Sequence, residues 1–138
     1  MEAQKIQALI ILKKNMLGTF NNDQPVIEIE VKGITGISKK INALVDSGFN
    51  GYIQIPFVEA FPLGLVLAGV EASTLADGSN SSHLVCKGQV CVEGKCVDTT
   101  IDIHHANIVL LGTKLLKELK KTFVLDASIG KVEIIDSK

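Results

Sequence analysis

Residues 84–92 and 95–103 are two strand-like runs joined by Glu93-Gly94. A two-residue connection of this composition specifies a tight hairpin and fixes its register. Val92 should face Lys95, Cys91 should face Cys96, and Cys86 should face Ile101. A hairpin this long dominates a chain of 138 residues. Whatever the fold is, it is built around antiparallel pairing.

The rest of the chain repeats that grammar. From Val26 the period is two: Val26, Glu28, Glu30 and Lys32 alternate with Ile27, Ile29 and Val31 up to Gly33. A second run over residues 39–45 puts Ile41, Ala43 and Val45 on one face, with Thr35-Gly36 or a neighbouring pair turning the chain between the two. Residues 52–55 are extended and Pro56 closes them. Residues 56–65 have room for one or two helical turns, with Val58, Phe61 and Leu65 on a shared face. Residues 66–75 are extended, and Ala76-Asp77-Gly78-Ser79 is a strong turn signal. Residues 108–111 are wholly apolar and end in Gly112. A short helix follows over residues 114–121, with Leu115, Leu116 and Leu119 inward. Residues 123–127 and 131–135 form a last hairpin. Long crossovers between strands are absent, so the class is all-β rather than a doubly wound α/β sheet.

Composition narrows the function. Hydrophobic residues reach 46% and charged residues 21%, enough apolar material for a core. The formal charge is −1, with five Phe, one Tyr and no Trp. Neither a positive field nor stacking platforms are available for nucleic acid. No stretch approaches the roughly 18 apolar residues of a membrane span, so stable membrane insertion is not expected. Residues 2–17 carry a helical stripe, and residues 1–20 are expected to be an N-terminal arm, helical or poorly ordered, before a domain over residues 21–138. Met16 offers a second start. The apolar run over residues 8–12 is too short for a secretory signal, and three cysteines do not make a paired disulfide framework. A cytoplasmic chain with reduced thiols is expected.

Metal and cofactor motifs are missing. Cys86, Cys91 and Cys96 are spaced five apart, unlike a zinc knuckle. His104 and His105 are neighbours, so in a strand they point to opposite faces. No metal site and no cofactor are read from these residues. Asp102 sits in an alternating strand and is expected to face water.

The remaining chemistry lies in Asp46-Ser47-Gly48. It follows the apolar strand end Ala43-Leu44-Val45 and precedes Phe49-Asn50-Gly51-Tyr52. Alone, such a triplet is a common turn. Downstream, Leu110-Leu111-Gly112 leads into a helix, and a turn and a long hairpin lie between the two landmarks. Together these resemble the retropepsin-like aspartic proteases. The triplet matches the family's strand-then-Asp-Ser/Thr-Gly element, and Leu110-Leu111-Gly112 matches the apolar-apolar-Gly element that closes the active-site substructure. The turn at Ala76, Asp77 and Gly78 matches the flap. The string Val45-Asp46-Ser47-Gly48-Phe49-Asn50-Gly51-Tyr52, with Phe49 where viral members carry a small residue, looks like a small bacterial branch. The resemblance runs from about residue 25 to residue 135.

The resemblance implies a single closed, barrel-type lobe with one short helix near the C-terminus, pairing as a two-fold dimer. It implies an aspartic endopeptidase in which Asp46 of each copy supplies half of a carboxylate dyad. Ser47 would bond across the interface, Gly48 would bring its N–H to the carboxylate, and Leu111 and Gly112 would support the loop. Ala76, Asp77 and Gly78 would cover a peptide or protein substrate, with Ile53, Leu75 and Val109 as apolar subsite walls. The second reading is a non-catalytic dimer on the same fold that binds a peptide or partner.

Overall fold

The structure, a computed structural model, describes residues 16–137. Most of the stretch read as an N-terminal helix therefore lies outside the described residues. Its end, however, is not helical. Met16–Leu17 is strand β1, which pairs antiparallel with Ile134 and Glu133. Thr19–Asn21 is β2, paired with the start of β3, Gln24–Lys32. Gly18 between them donates its N–H to Val132 O at 2.9 Å.

β3 and β4 (Ser38–Val45) form the next hairpin, turning through Gly36 at φ +87°. The alternation works as read: Ile27, Ile29 and Val31 are buried while Glu28, Glu30 and Lys32 are not. β5 (Ile53–Pro56) is buried along its whole length. Then come α1 (Phe57–Ala60) and a 3-10 turn, Phe61–Leu63. The helical turns expected here are present, with Ala60 and Leu63 buried and Phe57, Val58 and Phe61 exposed. Pro56 at the N-cap and the tightening to 3-10 geometry rotate the stripe away from a regular helical period.

β6 (Val66–Thr74), β7 (Asn80–Val92) and β8 (Lys95–His104) form a long meander. The register of β7 and β8 is the one the Glu93-Gly94 turn dictates. Val92 faces Lys95, Cys91 faces Cys96, and Cys86 faces Ile101. β9 (Leu110–Leu111), α2 (Thr113–Glu118), β10 (Lys121–Asp126) and β11 (Lys131–Asp136) complete the chain. Leu115, Leu116 and Leu119 point inward, as expected.

The main sheet runs β2-β3-β4-β9-β5-β8-β7-β6. It closes on itself because β3 also pairs with β7, through Glu30 with Cys91 and Val31 with Val90. β1, β11 and β10 form a separate three-stranded sheet. One apolar cluster joins the barrel interior to α2 and, through Val132 and Ile134, to the small sheet. Closure leaves few free edges, the usual solution for an all-β chain.

The cysteines depart from the expectation of free thiols. Cys91 and Cys96 form a disulfide across the hairpin, with Cα atoms 4.0 Å apart. Cys86 is buried and free, and burial pushes its thiol pKa up. Among the described residues no helix is long and apolar enough to cross a membrane.

Candidate active site

Asp46 stands where β4 ends. Two parallel strands position it: Leu44 lies beside Leu110 and Val45 beside Leu111. The Leu44 N–H donates to Val109 O at 2.8 Å, and the Asp46 N–H to Leu111 O at 2.9 Å. β9 is shared on its other side with β5, where Ile53 faces Leu111 antiparallel. The loop over residues 46–52 must therefore arch across β9 to reach β5.

Gly112 is the seat of that arch. Its N–H donates to Tyr52 O at 3.0 Å. A Cβ at this position would lie 2.2 Å from Gly51 O and 3.0 Å from Phe49 O. Only a residue without a side chain lets the loop backbone come this close. Val45 and Leu111 are buried to either side and fix the frame.

Within the loop, the Gly48 N–H donates to Asp46 Oδ1 at 2.9 Å, and the Phe49 N–H donates to Asp46 O at 3.2 Å. The first bond orients the carboxylate. A Cβ on Gly48 would stand 3.3 Å from that same oxygen. Asp46 is half-buried, whereas Ser47 and Gly48 are exposed at the surface of the lobe. Asp46, Ser47, Gly48, Leu111 and Gly112 are thus brought together as one unit. Lys114 extends over the Tyr52 ring, 5.2 Å from its centre, and places a cation beside the loop.

The turn carrying Ala76, Asp77 and Gly78 is a separate unit at the tip of the β6–β7 hairpin. The Leu75 N–H donates to Ser79 O at 2.7 Å, and the Gly78 N–H to Leu75 O at 2.9 Å. Asp77 Oδ1 accepts both the Ser79 N–H, at 2.9 Å, and the Ser79 hydroxyl, at 2.6 Å. The Ser79 hydroxyl, then its N–H, hold the Asp77 carboxyl below its ordinary value of 3.8. A depressed native pKa stabilises the turn above the ordinary value, and that support is lost as pH falls through the native one. Asp77→Ala should accordingly speed amide exchange at Ser79 at neutral pH, and wild type should approach the variant on acidification. Equal protection of Ser79 in both proteins at neutral pH would rule out this role.

Of the three expected subsite walls, only Leu75 reaches the surface. Ile53 is fully enclosed and Val109 nearly so. Both belong to the core that carries the loop. Exposed apolar side chains instead lie along the β6–β7 hairpin at Val70, Leu75 and Leu84.

Asp102 also departs from expectation. Its side chain is 13% exposed, and its Oδ1 lies 3.6 Å from His83 Nε2. Its Oδ2 is 2.8 Å from where a Cβ on Gly51 would be, so it abuts the Asp46 loop from the β8 side. Burial raises its pKa, partly offset by His83 and His104. Burial and then His83 lower that of His104. The signal was in the sequence as Asp102-Ile103-His104. Residues two apart in a strand share a face, and His83 lies across from them.

No protein-family model matches the chain, and no curated protein matches it. Solved structures do. The EIAV protease in complex with an inhibitor aligns with a TM-score of 0.55 at 16% identity, covering 78% of this chain and 99% of the viral one. The solution structure of the simian foamy virus (mac) protease aligns with a TM-score of 0.51 at 23% identity, covering 70% of this chain and 97% of that one. Nearly the whole of each viral lobe is therefore superposable on this chain, which has the single-lobe, all-β fold of the retropepsin-like aspartic proteases.

Proposed function

We propose that this chain is an aspartic endopeptidase that works as a homodimer, with Asp46 of each copy forming the catalytic dyad. The observation that carries the reading is the built loop. An Asp carboxylate is oriented by the Gly48 N–H, seated on Gly112, and presented at the surface of a protease-type lobe. Catalysis of this class needs two carboxylates sharing one proton, because like charges a few ångströms apart cannot both ionise. The sequence has a single Asp-Ser-Gly, so the second carboxylate comes from a second copy. A two-fold axis through the loops sets Asp46 against its own counterpart.

The ionised member takes a proton from a water molecule, which attacks the scissile carbonyl carbon. The protonated member donates to the carbonyl oxygen. The tetrahedral diol then collapses, the C–N bond breaks, and a proton passes to the leaving amine. No covalent enzyme intermediate and no cofactor are involved. Ser47 is free to bond across the axis, and Gly48 leaves room for the partner loop. Ala76, Asp77 and Gly78 cover the peptide, which lies as an added strand. Val70, Leu75 and Leu84 give that cleft apolar contacts. The cytoplasmic placement belongs to the same proposal, with Cys91 and Cys96 reduced there and the hairpin held by its backbone pairing.

The test is cleavage of a mixed peptide library across an acid-to-neutral pH series at increasing protein concentration, with sedimentation in parallel. Specific activity should rise with the dimer fraction. A folded dimer that binds library peptides and cleaves none would favour the non-catalytic binding module. Full specific activity from a monomer would refute the shared site.

A further inference from the structure

Three neighbouring strands bring ionisable side chains to one point beside Gly51. Glu71 on β6 faces His83 on β7. Leu84 faces Ile103, so His83 falls at the level of His104 on β8, and their rings stack with centres 4.6 Å apart. Asp102 shares the face of His104. One donor atom from each of His83, Asp102 and His104 lies within 4.8 Å of the others.

The unexplained group is His83. Its side chain is only 10% exposed, and neither ring nitrogen has a hydrogen-bond partner. Buried polar atoms in folded proteins are almost always paired, so two orphaned nitrogens on one imidazole call for a ligand. The approach of His83 Nε2 to Asp102 Oδ1, 3.6 Å, is too long for a hydrogen bond. It is close to the ~3.3 Å that separates two ligands each about 2.0 Å from a tetrahedral ion. Glu71 stands outside that three-residue group, with its Oε2 3.9 Å from His83 Nε2, and its exposed side chain can rotate inward as a fourth donor.

We propose that His83, Asp102 and His104, completed by Glu71, bind a divalent transition-metal ion of the zinc class. Two imidazoles with carboxylates suit such an ion, whereas calcium and magnesium favour all-oxygen cages and copper(I) favours sulfur. Four protein ligands leave no open position, so the ion is structural. It ties β6 and β7, the root of the flap, to β8 where Asp102 abuts Gly51. The site stands independently of the peptidase reading.

The experiment uses the full chain after chelation and dialysis. Titration calorimetry with Zn2+ should give one ion per chain. His104→Ala should weaken binding by more than the about 10–100-fold cost of an outer-shell change. Asp102→Asn should weaken it too, and His105→Ala, which removes an exposed imidazole just past the end of β8, should leave affinity unchanged. Co2+ loaded into wild type supplies a second readout that needs no variant to fold. The intense visible bands of a four-coordinate nitrogen and oxygen site support the proposal. Absence of Zn2+ binding by wild type, a purely octahedral Co2+ spectrum, or equal affinity in folded His104→Ala would overturn it.

Discussion

Asp46→Asn should lower peptide cleavage by about 10³-fold or more, toward the upper end of what removal of an acid–base group costs. The substitution is close to isosteric. Its side-chain oxygen still accepts the Gly48 N–H, a bond now 2.9 Å long, so the loop keeps its shape and stability should hardly change. What the proposed mechanism loses is the ability to take a proton from water. Mixing experiments sharpen the expectation. If both carboxylates of a dyad are required, an equimolar mixture with the variant leaves about one quarter of dimers fully wild type after subunits exchange. Activity should then fall to about that fraction. A fall to only half would mean that each chain works alone. Cleavage by the variant at the wild-type rate would remove Asp46 from the reaction altogether.

The parts of this chain that could be read in advance are those set by local chemistry. Glu93-Gly94 fixes the β7–β8 register through the geometry of a two-residue turn, and all three pairs inferred from it are present. The placement of Asp46 against Leu111 and Gly112 was legible because the two landmarks are short and chemically distinctive. Barrel closure was not, since the pairing of Val31 with Val90 depends on sheet curvature and not on any local pattern. The same holds for Ile53. An apolar strand residue beside a catalytic loop can face a substrate or a core, and only the packing of both faces of β5 decides which. The cluster of His83, Asp102 and His104 was less legible, because alternation groups Asp102 with His104 while His83 joins them only through the β7–β8 pairing. The exposed rings of Phe57 and Phe61 reflect a helix too short to keep a regular stripe.

Gly112→Ala should destabilise the fold by about 2–4 kcal/mol and depress catalysis beyond that loss. Gly112 sits at φ −85°, ψ 159°, an extended conformation open to any residue. Backbone entropy alone therefore favours alanine, by about 0.4–1 kcal/mol. Contact reverses the sign. The new methyl would meet Gly51 O at 2.2 Å and Phe49 O at 3.0 Å, both main-chain atoms of the arch that carries Asp46. Neither can swing aside as a side chain would, so the loop must lift off β9. Lifting it weakens the 3.0 Å bond from the Gly112 N–H to Tyr52 O and moves the carboxylate away from the position that the proposed dyad requires. Displacement of a catalytic group by about 1 Å can cost about 10²-fold in rate. Gly36→Ala is the control. Gly36 has a positive φ of +87° with nothing near its missing Cβ, so it should lose about 1–2 kcal/mol to backbone strain and keep its turnover per folded dimer. Urea denaturation with kcat/KM on both variants separates the effects. Gly112→Ala as stable and as active as wild type would mean that the Asp46 loop is not seated on Gly112.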